Sequence, residues 1–192
     1  FKRLNEPDPS YHGVVYTEAL GPAAYIGRAR VVPLRNTGSA ISPMNSFMIL
    51  QGIETLPVRM DRHCENAVEV ANYLSKHDKV DWVRFAGFSD HQDYQLLKKY
   101  CSGKAAGILS FGIKGGIEAG TKFIDALELI TRLVNIGDAK SLACHPATTT
   151  HRQLSPEELA KAGVSDDLVR LSVGIEHIDD LLSDIEQALA KA

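Results

Sequence analysis

From Lys79 onward, short apolar runs, several of them bounded by glycine, alternate with stretches whose apolar residues recur at helical spacing. This alternation restricts the fold more than any other feature, because strands separated by amphipathic helices belong to α/β architectures in which helices bury their stripes on a sheet. The runs "KVDWVRFAG", "GILSFGIKGG" and "LVRLSVG" read as strands, and "TRLVNIG" and "SLACHP" as two short strands about a turn at Gly137 and Asp138. Between them, "SDHQDYQLLKKYC" reads as a short helix capped by Ser89, and "GIEAGTKFIDALELI" as a helix burying Phe123, Ala126 and Leu127. "SPEELAKAG" has a serine cap, a proline at the first helical position, first-turn glutamates and a closing glycine. The last helix places Ile175, Ile178, Leu182, Ile185 and Leu189 on one face. The expected fold is an α/β domain with helices covering one face of a small sheet.

A long helical arm precedes that domain. Ser42 can cap it with Pro43 in the first turn, and Phe47, Leu50, Ile53, Val68, Ala71 and Leu74 keep helical spacing. Pro57 removes a backbone donor and clashes with the preceding turn, which predicts a break near Thr55 and Leu56. Upstream, "GPAAYIGRARVVPL" reads as a short helix interrupted by Gly27 and Pro33, and "NEPDPSYHG" as a proline-broken loop entered in mid-course. The opening leads us to expect a portion of a longer chain.

Composition narrows the function classes. With 44% hydrophobic and 23% charged residues the chain is an ordinary folding sequence. A net charge of −3 and scattered basic residues disfavour nucleic acid as a partner. Cys64, Cys101 and Cys144 are odd in number and far apart, which fits reduced thiols and a cytoplasmic location. No apolar stretch reaches the ~20 residues of a membrane span, so no membrane role is expected.

The densest polar cluster is "SLACHPATTTH", residues 141–151. Cys144 and His145 are adjacent, point to opposite faces of a strand, and match no short zinc-ligand spacing. A buried thiol and hydrogen-bonded histidines are the simpler reading, and no metal ligand or catalytic nucleophile is assigned. "GIKGG" lacks the phosphate-loop patterns and reads as a strand-ending turn. Arg170 is the lone charge between apolar residues of a strand. It calls either for an internal acid or for a ligand carboxylate, which a planar guanidinium grips as a fork.

Taken together, "GSAISPMNSFMILQGIETLPVRMDRHCENAVEVANYL", "GILSFGIKGG" and "NIGDAKSLACHPATTTHRQLSPEELAKAGVSDDLVRLSVGIEHIDDLLSDIEQAL" resemble the C-terminal part of the Cys/Met-metabolism enzymes that depend on pyridoxal phosphate (PLP). The likeness is greatest to the branch of O-acetylhomoserine sulfhydrylases. The resemblance implies the C-terminal part of a fold-type I PLP-dependent transferase, with a small antiparallel-rich sheet covered on one face. Residues 1–60 would then be a remnant of the large PLP-binding domain with its linking helix, and 61–192 the small domain. It implies a small amino-acid substrate, an N-terminal PLP domain as partner and a homo-oligomer when intact. Arg170 matches the arginine that binds the substrate α-carboxylate, and Asn135 lies where sulfhydrylases carry asparagine beside it. Thr149 and Thr150 fall in a pocket-lining segment, and Lys140 and Ser141 where related lyases read Glu-Ser. No lysine here has the S-x-T-K context of the Schiff-base lysine, so PLP would attach outside this sequence and the chain alone would be inactive.

Overall fold

A computed structural model describes all residues, Phe1–Ala192, and divides them into two compact units, Phe1–Ile53 and Glu54–Ala192. The first unit is helical: α1 (Lys2–Asn5), α2 (Tyr16–Leu20) and α3 (Ala24–Ala29), then a π-helical turn at Arg30–Leu34 containing Pro33, and α4 (Arg35–Thr37). A buried carboxylate organises it. Asp8 accepts from Ser10 N–H at 2.8 Å and from the Tyr16 hydroxyl at 3.1 Å, and pairs with Arg28 at 3.2 Å.

Helix α5 (Pro43–Glu54) starts as the sequence requires, with the Ser42 hydroxyl accepting the Asn45 N–H at 3.1 Å. It ends at Glu54, and α6 (Leu56–Leu74) begins after Thr55, the expected break before Pro57. No residue of α5 is buried; Phe47, Leu50 and Ile53 are all exposed. On α6 the buried positions are His63, Asn66, Ala67, Val70, Ala71 and Leu74. Val68, expected on that stripe, is exposed because it stands about 100° round the helix from Ala67.

The second unit then adds β1 (Val80–Arg84), α7 (Tyr94–Tyr100), β2 (Ile108–Ile113), α8 (Gly116–Ala126), β3 (Thr131–Arg132) and β4 (Leu142–Cys144). It closes with α9 (Pro156–Lys161), β5 (Leu168–Ser172) and α10 (Ile178–Lys191). The five strands form one sheet in the order β1-β2-β5-β4-β3, antiparallel except for β3 and β4. That parallel pair corrects the expectation of two strands about a turn. Thr131 aligns with Leu142 and Arg132 with Ala143, so residues 133–141 must travel back along the sheet before β4 begins.

One sheet face carries the core. Leu109, Phe111, Ala143, Val169 and Leu171 project toward α6, α8 and α10, which contribute Val70, Leu74, Phe123, Leu181, Ile185 and Leu189. Phe111 meets Phe123 edge to face, centroids 5.6 Å apart. Each fully buried large side chain contributes roughly 1.5–3 kcal/mol from lost water contact. Three details of the sequence reading change. The buried stripe of α10 is Leu181, Ile185, Ala188 and Leu189 together with Asp184, and Ile175 precedes the helix and is exposed. On α8, Phe123 is buried with Ala119, Gly120 and Ile124, while Ala126 and Leu127 are only half-buried. Ser89 is not the cap of α7, which starts at Tyr94 after three consecutive turns.

Candidate substrate-carboxylate site

The second sheet face, opposite α6, α8 and α10, is where the charged strand residue lies. Arg170 stands at the centre of β5, opposite Ser110 on β2 and Cys144 on β4. Val169 and Leu171 on either side of it point into the core, so alternation alone turns Arg170 to the other face. Its Nη2 donates to the carbonyl of Val134, its Nε is buried without a partner, and none of the chain's ion pairs involves it. The internal acid that a strand arginine could have demanded is therefore not present. A buried donor of a charged group left unmatched costs about 1–3 kcal/mol or more.

Val134 immediately precedes Asn135. The chain thus brings these two predicted residues together through the backbone: the carbonyl before Asn135 braces the guanidinium. At the other side of Asn135, Gly137 N–H donates to the hydroxyl of Ser172 at 3.0 Å. Ser172 was not singled out from sequence, although its spacing of two from Arg170 on a strand puts both on one face. Asn135 itself is exposed, on the connection between β3 and β4.

The other predicted positions are occupied by local structure. Lys140 is exposed and bonds Asp138 through both its backbone N–H, at 3.0 Å, and its ammonium, at 3.1 Å. Those contacts hold the Asp138 carboxyl below the usual range. Ser141 is buried: its N–H and hydroxyl donate to the Glu176 carboxylate at 2.6 and 2.9 Å, and its oxygen accepts the Gly174 N–H at 2.7 Å. Thr149 donates to the His145 carbonyl at 2.8 Å, and exposed Thr150 bonds His151 at 2.8 Å. Neither threonine hydrogen-bonds Arg170 or Asn135.

Cys144 and His145 take no part in a reactive arrangement. Burial pushes the Cys144 thiol up, against a smaller opposing pull from Arg170. His145 is 1% exposed; its Nε2 must donate to the Asp166 carbonyl at 2.8 Å, leaving Nδ1 to accept from Thr148 at 2.9 Å.

The same residues do not form a seat for PLP. A lysine that carries the cofactor has to be desolvated enough to react as an amine. Here every lysine is exposed except half-buried Lys79, whose ammonium is taken up by the carbonyls of Leu189, Ala190 and Ala192 at 2.7, 3.1 and 3.0 Å. What this chain presents is a strand guanidinium with no carboxylate partner, and no desolvated, uncommitted lysine to carry the cofactor.

The α/β fold with one mixed five-stranded sheet is consistent with that of the fold-type I PLP-dependent proteins. Residues 11–190 match the Cys/Met metabolism PLP-dependent enzyme family, and the chain belongs to that family. It is 53% identical to the O-acetyl-L-homoserine sulfhydrylase of Leptospira meyeri, over 98% of this chain and 45% of that protein. It is 48% identical to the homocysteine synthase of Schizosaccharomyces pombe, over 100% of this chain and 45% of that one. An O-acetylhomoserine (thiol)-lyase structure from Campylobacter jejuni, solved with a pyridoxyl-modified lysine, superposes with a TM-score of 0.84 at 41% identity, covering 99% of this chain and 45% of that chain. The chain thus spans somewhat less than half the length of the relatives it matches. No helix is long and apolar enough to cross a membrane.

Proposed function

We propose that this chain is the C-terminal, substrate-carboxylate-binding part of a PLP-dependent O-acetylhomoserine sulfhydrylase, which makes homocysteine from O-acetylhomoserine and sulfide. The observation that carries the reading is Arg170: a strand guanidinium with a buried, unmatched Nε and no acid beside it. Relatives bearing the sulfhydrylase and homocysteine synthase names along nearly the whole chain support the branch. PLP supplies the electron-withdrawing chemistry when bound, from a part of the protein that these residues do not include. The contribution of Arg170 is to fix the α-carboxylate by charged hydrogen bonds and so orient the Cα–H bond, while Asn135 adds an amide donor at the same carboxylate. Thr149 and Thr150 would line the approach, and Lys140 and Ser141 would act at a distance, through the fold of their loop.

In this reading residues 1–60 belong with the large PLP-binding domain and its linking helix, and the exposed Met44, Phe47, Met48, Leu50 and Ile53 of α5 are covered in the intact protein. A helix apolar on all sides is one enclosed on all sides. The intact enzyme would be a cytoplasmic homo-oligomer, and the chain alone would not turn over substrate.

The test is Arg170→Ala in the full-length enzyme. KM for O-acetylhomoserine should rise on the order of 100-fold with the PLP absorbance unchanged. Unaltered substrate kinetics would overturn the carboxylate assignment. Sulfide-dependent homocysteine formation, measured against release of 2-oxobutyrate, separates sulfhydrylase from γ-lyase activity.

A further inference from the structure

Arg170 and Ser172 leave the same face of β5, two residues apart. Each holds one end of the tetrapeptide from Val134 to Gly137: Arg170 through the Val134 carbonyl, Ser172 by accepting the Gly137 N–H at 3.0 Å. No other hydrogen bond ties these four residues to the rest of the chain. Ser172 is 2% exposed and sits between Ile108 on β2 and Leu142 on β4, so its hydroxyl is a fixed point, whereas Gly137 lies on an exposed loop with φ +78°.

We propose that Ser172 is a positioning residue for the substrate. By accepting the Gly137 N–H it sets the register of the tetrapeptide on the sheet, which places the Val134 carbonyl against Arg170 and Asn135 beside it. Without that anchor the tetrapeptide itself is held only by the guanidinium that the ligand also needs. Asn135 then loses its fixed approach to the carboxylate, and Arg170 loses the brace that keeps its plane aligned. The inference rests on the carboxylate reading of Arg170 and adds to it a residue that never touches the ligand.

The experiment uses the full-length PLP-loaded enzyme with O-acetylhomoserine and with its carboxamide, which has the same chain but no carboxylate. Ser172→Ala should raise KM for the acid about 5- to 10-fold, the scale of one hydrogen bond, with kcat within about 2-fold and the PLP absorbance unchanged. The preference for acid over carboxamide should fall by the same factor. A role in folding alone would depress both substrates equally, and that result would overturn the proposal. Should Ser172→Ala not fold, Gly137→Ala decides by the same ratio: its added Cβ meets nothing within 4 Å, so only the left-handed backbone is disturbed. Arg170→Ala separates the two levels. If it leaves KM unchanged, the carboxylate reading itself fails; if it raises KM while Ser172→Ala and Gly137→Ala do not, only the positioning role is overturned.

Discussion

Ser141 and Glu176 are joined twice: the Ser141 N–H and hydroxyl donate to the two oxygens of one carboxylate at 2.6 and 2.9 Å. The Ser141 oxygen also takes the Gly174 N–H, and Asn66 of α6 donates its amide to the carbonyls of Gly174 and Glu176 at 3.0 and 2.9 Å. This buckle fastens the end of the Asn135 loop to the exit of β5. Glu176→Gln replaces one accepting oxygen by an NH2 facing a donor. It should lower the unfolding free energy by about 1–3 kcal/mol, read from urea unfolding with an unchanged denaturant slope.

Asp184, 6% exposed on α10, accepts three successive backbone N–H groups, those of Glu128, Leu129 and Ile130, at 2.8, 3.0 and 2.8 Å. It thereby ties the chain leaving α8 to α10. Asp184→Ala would leave these donors without an acceptor, one of them fully buried. We expect a loss of roughly 3 kcal/mol or more and faster amide exchange at Ile130.

His145 rests on Gly120. A methyl group at Gly120 would come within 2.6 Å of Nε2, the atom already committed to the Asp166 carbonyl at 2.8 Å. Gly120→Ala should therefore displace the ring and cost about 1–3 kcal/mol by overpacking, measured as a drop in Tm. An unchanged Tm would show that the ring has room to move.

Tyr73 donates to Glu186, and burial together with that carboxylate pushes its phenol up to about 12. A group whose pKa is raised by folding stabilises the fold fully below its unfolded value, near 10 for tyrosine, and loses that contribution as pH climbs toward the folded value. Absorbance titration should show Tyr73 ionising late, and stability should decline between pH ~10 and the folded value of about 12. Glu186→Gln should bring the phenol down.

The three thiols should react in order of access. Cys101 is exposed, Cys64 half-buried with its thiol pushed up by burial, and Cys144 buried on β4 with its thiol likewise raised. A maleimide should modify Cys101 first and Cys144 only when the sheet opens. Rapid labelling of Cys144 in the folded protein would contradict its placement.

Local signals in the sequence were sufficient where the structure depends on neighbours along the chain. The capping box at Ser155 and Glu158 is present in both directions, at 3.3 and 2.8 Å, and Ser42 and Pro43 start α5 as expected. Alternation likewise turned Arg170 out of the core. Features set by distant partners were not legible. Ser89 has good capping chemistry, but Phe88 packs edge to face on Phe85 with centroids 5.5 Å apart and its N–H returns to the Phe85 carbonyl, so the chain stays in turns. The parallel pairing of β3 and β4 depends on which edge of the sheet is free once β5 has joined, information held some 30 residues downstream. In the candidate site the guanidinium was visible as a lone charge in an apolar strand, whereas its brace is a main-chain carbonyl, which carries no residue-type signal.

A hairpin can be trimmed to two residues and still join its strands; the return path between β3 and β4 cannot. Deletions there would strip the sheet of its edge strand rather than tighten a bend, so the segment bearing Asn135 is held at its length by geometry and is available to variation chiefly through the identity of its side chains.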